Sequence, residues 1–223
     1  MSRESYLIAP NAEGFEAIRE PHKNLVIWTR SPDLGLCLWL ESHLAGLSRI
    51  ETRVPLVDQR LELAPLVQDL PEHPFRAKLL ADLEHLGRCF AAQLPSSSRI
   101  LASLGPVVDD QCRKLHVDWV VLRLLSTYVG PGTEWLPDHA VAREHVGASS
   151  CCPADANRAI MRDSQALRRA LAGEVLLMKG EAWPNNAGRG VVHRSPPIEG
   201  RTVPGPPTRR LVFTLTALAP RSS

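Results

Sequence analysis

The sequence lacks any apolar run long enough to cross a bilayer, which takes about 18–20 residues in succession, so no transmembrane helix is expected. It also lacks a surplus of one charge: 26 basic and 24 acidic residues leave +2 over 223. That balance gives no general attraction to nucleic acid or to a membrane surface. No basic stretch interleaved with aromatics marks a nucleic-acid face. The opening MSRESYLIAPNAEGFEAIRE carries acidic side chains and no long apolar core, unlike a secretory signal. The five cysteines, at 37, 89, 112, 151 and 152, form no even, spaced framework of the kind that staples secreted domains. Reduced thiols in a cytoplasm are therefore expected. No internal repeat is visible.

What remains is ordinary for a globular protein: 44% hydrophobic and 22% charged residues. At 223 residues the chain is long enough for one domain with a sizeable core, or one domain with an extension. Residues 24–30 predict a strand. Ser31 and Pro32 supply a helix start, and apolar residues at 36, 40, 44 and 47 give a helical stripe. A short strand is expected over 52–57 and helices over 61–70 and 74–94; in the last, Phe75, Leu79, Leu83, Leu86 and Phe90 recur at three- and four-residue steps. Ser96–Ser97–Ser98 marks a boundary. Strands are predicted over 99–108, from 112 onward, over 174–179, 190–193 and 209–216. Residues 156–162 read as a strand or a short helix, and the proline-rich 194–208 as a loop. The division is 1–95, mostly helical and packed on the sheet, and 96–223, the core that carries the candidate site.

The chemistry centres on Leu115–His116–Val117–Asp118, which alternates apolar and polar as a strand does. Side chains two apart on a strand share a face, so His116 and Asp118 project together. An imidazole and a carboxylate on one face make two-thirds of a two-histidine, one-carboxylate metal site, the type that leaves positions open for substrate and dioxygen on ferrous iron. A lone His-x-Asp is common on surface strands that bind nothing. The later context adds a distal histidine, His193, in Gly190–Val191–Val192–His193, and an arginine, Arg210, opening the last strand.

At these residues the sequence resembles the iron(II)- and 2-oxoglutarate-dependent oxygenases, over about residues 98–218. The resemblance is carried by His116-x-Asp118, the Gly-Glu-Val-Leu-Leu strand from Gly173, His193 and the strand led by Arg210. Leu122–Pro137 is similar to the segment after the His-x-Asp in prolyl-hydroxylase-like members. Arg210–Leu215 resembles the final strand of the nucleic-acid demethylase branch. Over nearly its whole length, through TYVGPGTEWLP (127–137) and GEAWPNNAGRGVVHRSPP (180–197), the chain looks like a bacterial family catalogued only as a domain of unknown function. The oxygenase resemblance implies an α+β fold, a C-terminal double-stranded β-helix (jelly roll) with N-terminal helices packed on it. It also implies Fe(II) held by His116, Asp118 and His193, and 2-oxoglutarate as cosubstrate with its far carboxylate on Arg210, since a guanidinium pairs with carboxylate in a bidentate way.

Alternatives stay open at several residues. Arg209 competes with Arg210, facing the other way on the strand, and Arg201 is a third option. Tyr128 and Arg123 lie on opposite faces of one strand, so the pocket is open to one or the other; Tyr128 is assigned to the cosubstrate. Trp119, Trp135 and Trp183 are given no specific role. Asn185 and Asn186 read as a turn. A separate reading takes Cys112, Cys151, Cys152 and nearby histidines, among them His139 and His145, as a zinc site of metal homeostasis, although the spacing is not that of a zinc finger. A third is a jelly roll that binds without catalysing, since fold alone does not fix activity. The expected partner is a small-molecule or protein substrate, not a membrane or nucleic acid.

Overall fold

The structure, a computed structural model, describes residues 4–31, 33–107, 112–148, 152–197 and 209–219. Its strands are β1 (Tyr6–Ala9), β2 (Leu25–Trp28), β3 (Ile50–Val54), β4 (Leu56–Val57), β5 (Arg60–Leu61), β6 (Ile100–Val107), β7 (Val120–Val129), β8 (Glu134–Trp135), β9 (Arg168–Arg169), β10 (Val175–Lys179), β11 (His193–Arg194) and β12 (Arg210–Leu218). Its α-helices are α1 (Leu34–His43), α2 (Pro74–Ala91) and α3 (Pro153–Ile160). Among the described residues no helix is long and apolar enough to cross a membrane.

The fold is α+β around a seven-stranded sheet of order β1-β2-β10-β7-β12-β6-β3. Only β1 and β2 pair in parallel; the other neighbours are antiparallel. A three-stranded sheet, β11-β8-β9, lies over one face, and helices cover the other. The period of two along β12 sorts its side chains between the layers. Leu211, Phe213, Leu215 and Ala217 join Leu79, Leu83, Leu86 and Phe90 of α2 and Leu36 and Leu40 of α1 in the larger core. Val212 turns the other way, with Leu125, Leu176 and Met178, to meet Trp135 and Val191 of the smaller layer. Each such buried Leu or Phe is worth about 1.5–3 kcal/mol relative to exposure. Coverage on both faces explains why β7 reads VVLRLLSTYV, apolar nearly throughout.

Several expectations need correction. The boundary near residue 95 does not divide the sheet, because β1, β2 and β3 from the first part are hydrogen-bonded into it. The helix cap is Asp33, whose Oδ1 accepts from Leu36 N at 2.7 Å; Pro32 lies outside the described residues. No helix spans 61–70. Instead β5 is followed by one 3₁₀ turn, Ala64–Val67, with Pro65 in it, and Leu63, Leu66, Val67 and Leu70 reach the core from a folded connection. Of residues 156–162, the part up to Ile160 takes the helical option as the end of α3, and Met161 makes an isolated bridge to Val141. His116 makes only an isolated bridge, and the regular strand begins at Val120.

Candidate metal centre

The bridge pairs His116 with His193: each backbone N–H donates to the other's carbonyl at 3.0 Å. The segment before His116 is fixed by Asn157 of α3, whose Oδ1 accepts from Leu115 N at 2.6 Å and whose Nδ2 donates to Arg113 O at 2.9 Å. His193 is held from the far side by β8, opposite Trp135. These links put the two imidazoles side by side, with ring centroids 4.6 Å apart. Asp118 sits between them, Oδ1 at 3.8 Å from His116 Nε2 and Oδ2 at 3.3 Å from His193 Nε2. One donor atom from each of the three residues lies within 4.8 Å of the others, and among the described residues no other group of histidine, cysteine or acidic side chains does so.

The second nitrogens decide what this arrangement wants. His116 Nδ1 lies 2.8 Å from Lys114 O, and His193 Nδ1 lies 3.0 Å from Val191 O. A carbonyl can only accept, so both Nδ1 atoms carry protons, and in the neutral rings both Nε2 lone pairs face the carboxylate. Burial, then the neighbouring His193, lowers the His116 pKa and favours that neutral form. Burial alone would raise Asp118, but a hydrogen bond from His193 when that ring is protonated on Nε2, and the charge of Arg123, hold it below the usual carboxylate range. A proton on His193 Nε2 can bridge to Asp118 in the metal-free chain; once it is displaced, two lone pairs and a carboxylate converge on one point, the donor set a divalent metal needs.

Arg210 lies at the start of β12 with 3% of its surface exposed. Its Nη2 donates to Thr127 Oγ1 at 3.3 Å and Thr133 Oγ1 at 3.1 Å, and its Nη1 to Ser195 Oγ at 3.4 Å. Its Nε is buried with no partner. Burial first, then Arg169, lowers its pKa to about 10, so it stays charged at neutral pH. Glu134, the carboxylate that acts on it, is already bonded by Arg169 Nη2 at 2.6 Å and Arg194 Nε at 2.7 Å. Among the described residues this buried guanidinium is hydrogen-bonded only to hydroxyls, with one N–H orphaned, which makes it a site short of an anion. Ser195 is two residues beyond His193, so a single short segment serves both the imidazole cluster and this guanidinium.

The other candidates are distributed differently. Tyr128 is a correction: its hydroxyl donates to Asp82 Oδ2 at 2.5 Å on the helix side of the sheet, beside Arg30, and the ring belongs to the larger core. Arg123, on the opposite face of β7, puts Nη1 at 2.7 Å from Asp118 Oδ2. Sequence reasoning noted this residue but gave it no role. The signal was there, since a lone charge in an otherwise apolar, covered strand must find a partner, and Asp118 is the acid just upstream. Thr127, Thr133, Ser195 and Asn157 left no such signal. Arg209 precedes the strand, half-buried, and Arg201 lies outside the described residues. Trp135 is core, Trp183 packs against the larger core, and Trp119 is 73% exposed. Asn185 has the positive φ of a turn. For the zinc reading, Cys151 lies outside the described residues, Cys112, His139 and His145 are exposed, and the metal-competent group contains no thiol.

The profile of the family described as protein of unknown function, DUF1826, matches residues 9–215. The chain belongs to the DUF1826 family. A comparison with curated proteins finds no match. Among solved structures, the dioxygenase for auxin oxidation in rice is similar at 14% identity and a TM-score of 0.52, over 98% of this chain and 84% of that one. A bsmA homologue from Methylobium petroleophilum overlaps at 16% identity and a TM-score of 0.49, over 93% and 92%. The likeness to the rice dioxygenase is one of fold: this DUF1826 member has an oxygenase-like architecture.

Proposed function

We propose that the protein is an iron(II)- and 2-oxoglutarate-dependent oxygenase that hydroxylates or demethylates its substrate. The observation that carries this reading is the pair of imidazole Nε2 atoms turned on the Asp118 carboxylate with both Nδ1 protons committed to backbone carbonyls. The orphaned guanidinium of Arg210 supports it from the same side of the sheet. His116, Asp118 and His193 would hold the metal on one face, leaving the opposite positions open. Arg210 would take the far carboxylate of the cosubstrate through Nε and an Nη, with Thr127, Thr133 and Ser195 fixing the plane of the guanidinium. Bound there, the metal and 2-oxoglutarate would supply the oxidising chemistry: with dioxygen, a C–H bond becomes C–OH while the oxo acid becomes succinate and carbon dioxide.

The chain's part is to orient and to dry. The carbonyls of Lys114 and Val191 set the tautomer and plane of each ring, and such partners usually matter by tenfold or more in metal affinity, roughly 10–100-fold. Leu125, Val212 and Met178 line the sheet beneath and keep water from that floor. The test is slow uncoupled succinate formation from 2-oxoglutarate by iron-loaded protein in air. The expected result is metal-dependent succinate that disappears in Asp118→Ala. Succinate formation that survives the substitution contradicts the assignment.

A further inference from the structure

Arg123 has one donor in use and another without an acceptor. Nη1 is at Asp118 Oδ2, 2.7 Å away, while Nε is buried with no partner. Its cross-strand neighbours are Met178 on β10 and Thr216 on β12, and neither can neutralise it. The side chain keeps 25% of its surface exposed, more than the 16% of Asp118, so the arginine meets solvent beside the cluster while its Nε lies beneath that surface.

The charges make the same point. Arg123 and Arg210 both sit on the inner face of the sheet, and the cluster supplies one carboxylate, Asp118. Glu134 acts on Arg210 through its charge but is itself bonded by Arg169 and Arg194, two cations to one carboxylate, so it leaves the positive excess in place. On the oxygenase reading, on which this inference rests, a divalent metal and a dianionic oxo acid cancel each other. The loaded site then still holds more positive than negative charge in a half-buried place, where uncompensated charge is costly.

We infer that Arg123 is a carboxylate-binding residue, its unpartnered edge taking a small-molecule carboxylate next to the metal ligands while Nη1 pins Asp118. A guanidinium takes a carboxylate side-on through Nε and the adjacent Nη, and Nε is the donor left unpaired here. Two sources share that chemistry: the 2-oxo carboxylate of the cosubstrate, or a carboxylate on the molecule being oxidised.

The experiment uses full-length protein loaded with Zn(II) in place of iron, at saturating metal, so that altered metal affinity is not read as altered acid affinity. Calorimetry compares 2-oxoglutarate with 2-oxovalerate, which lacks the distal carboxylate, in wild type and in Arg123→Lys, which keeps a cation at Asp118 but loses the side-on edge. Arg123→Gln serves if the lysine variant does not fold. If the cosubstrate is the source, both acids weaken together on the order of tenfold or more. If the substrate is the source, both bind as in wild type. A panel of carboxylic acids and their primary amides, screened by ligand-observed NMR on protein holding Zn(II) and 2-oxoglutarate, then shows acids preferred in wild type and the preference lost in the variant. Unchanged 2-oxo acid affinity together with acids and amides binding alike overturns the inference. Absence of metal-dependent 2-oxoglutarate binding to wild type is a different failure, that of the oxygenase reading, and leaves the acid–amide comparison, run without 2-oxoglutarate, to decide the role of Arg123.

Discussion

Arg210 shows how a residue can be chosen against stability. Its guanidinium is buried, satisfied only by hydroxyls, and has an orphaned Nε. An unpaired buried donor costs about 1–3 kcal/mol, a cost a binding site can bear where a packing site would not. Arg210→Met is therefore expected to raise the unfolding free energy of the metal-free protein by roughly 1 kcal/mol or more while weakening 2-oxoglutarate binding. Urea unfolding checks the first part, and a variant less stable than wild type contradicts it. Lys179, at the end of β10, is a buried amine that donates to Glu20 O at 2.9 Å and sits 5.1 Å from the centre of the Trp183 ring. Burial, then Arg189, lowers its pKa from 10.5 to about 8. Between those values the unfolded chain holds a proton that the folded chain has released, so stability rises with pH across that window. Wild type should gain on Lys179→Met as pH climbs from about 8 toward 10.5, and the difference should be flat below 8. A difference that stays flat throughout shows that the amine is not held in an unfavourable charged state.

At the scale of elements, the site depends on close approach of backbone more than on long strands. A Cβ on Gly180, just after β10, would lie 2.1 Å from Val120 O and 2.8 Å from Asp118 O. Those atoms are main chain and cannot swing aside, so Gly180→Ala must push back the segment that presents Asp118. The expected result is a metal affinity lower by about tenfold or more, with far-ultraviolet circular dichroism close to wild type; unchanged metal affinity would mean that the segment yields elsewhere. Elements with strong periodicity were legible from sequence. The stripe Leu79, Leu83, Leu86, Phe90 is the buried face of α2, and the alternation from Arg210 is β12. The stretch 61–70 misled because Leu61, Leu63, Leu66 and Leu70 are buried by tertiary packing of a turn around Pro65, not by helical geometry. His116 and Asp118 do project together, but from a bridge ahead of β7 whose geometry is set by His193, 77 residues from His116 (193 − 116), and by Asn157, 42 residues from its partner Leu115 (157 − 115).

For the whole molecule, what sequence conveyed was the order of chemical groups, and what it withheld was which face each occupied. His116, Asp118 and His193 were readable as a set, and the structure brings them together. The contribution of β1, β2 and β3 to the main sheet was not readable, because β2 joins it through β10 and β3 through β6, pairings distant in sequence that leave no local trace. Nor was the assignment between Tyr128 and Arg123, which turns on the phase of β7 between its two layers; β7 has register shifts on either side, opposite Ala217/Leu218 ahead of Arg123 and opposite Leu211/Val212 at Tyr128. The most direct test of the account is an anaerobic titration of 2-oxoglutarate into protein with and without Fe(II). Saturable binding of one 2-oxoglutarate per chain is expected, requiring the metal and lost in Asp118→Ala. Metal uptake that persists in Asp118→Ala but fails once Cys151 and Cys152 are replaced, with no binding of 2-oxoglutarate, would contradict it.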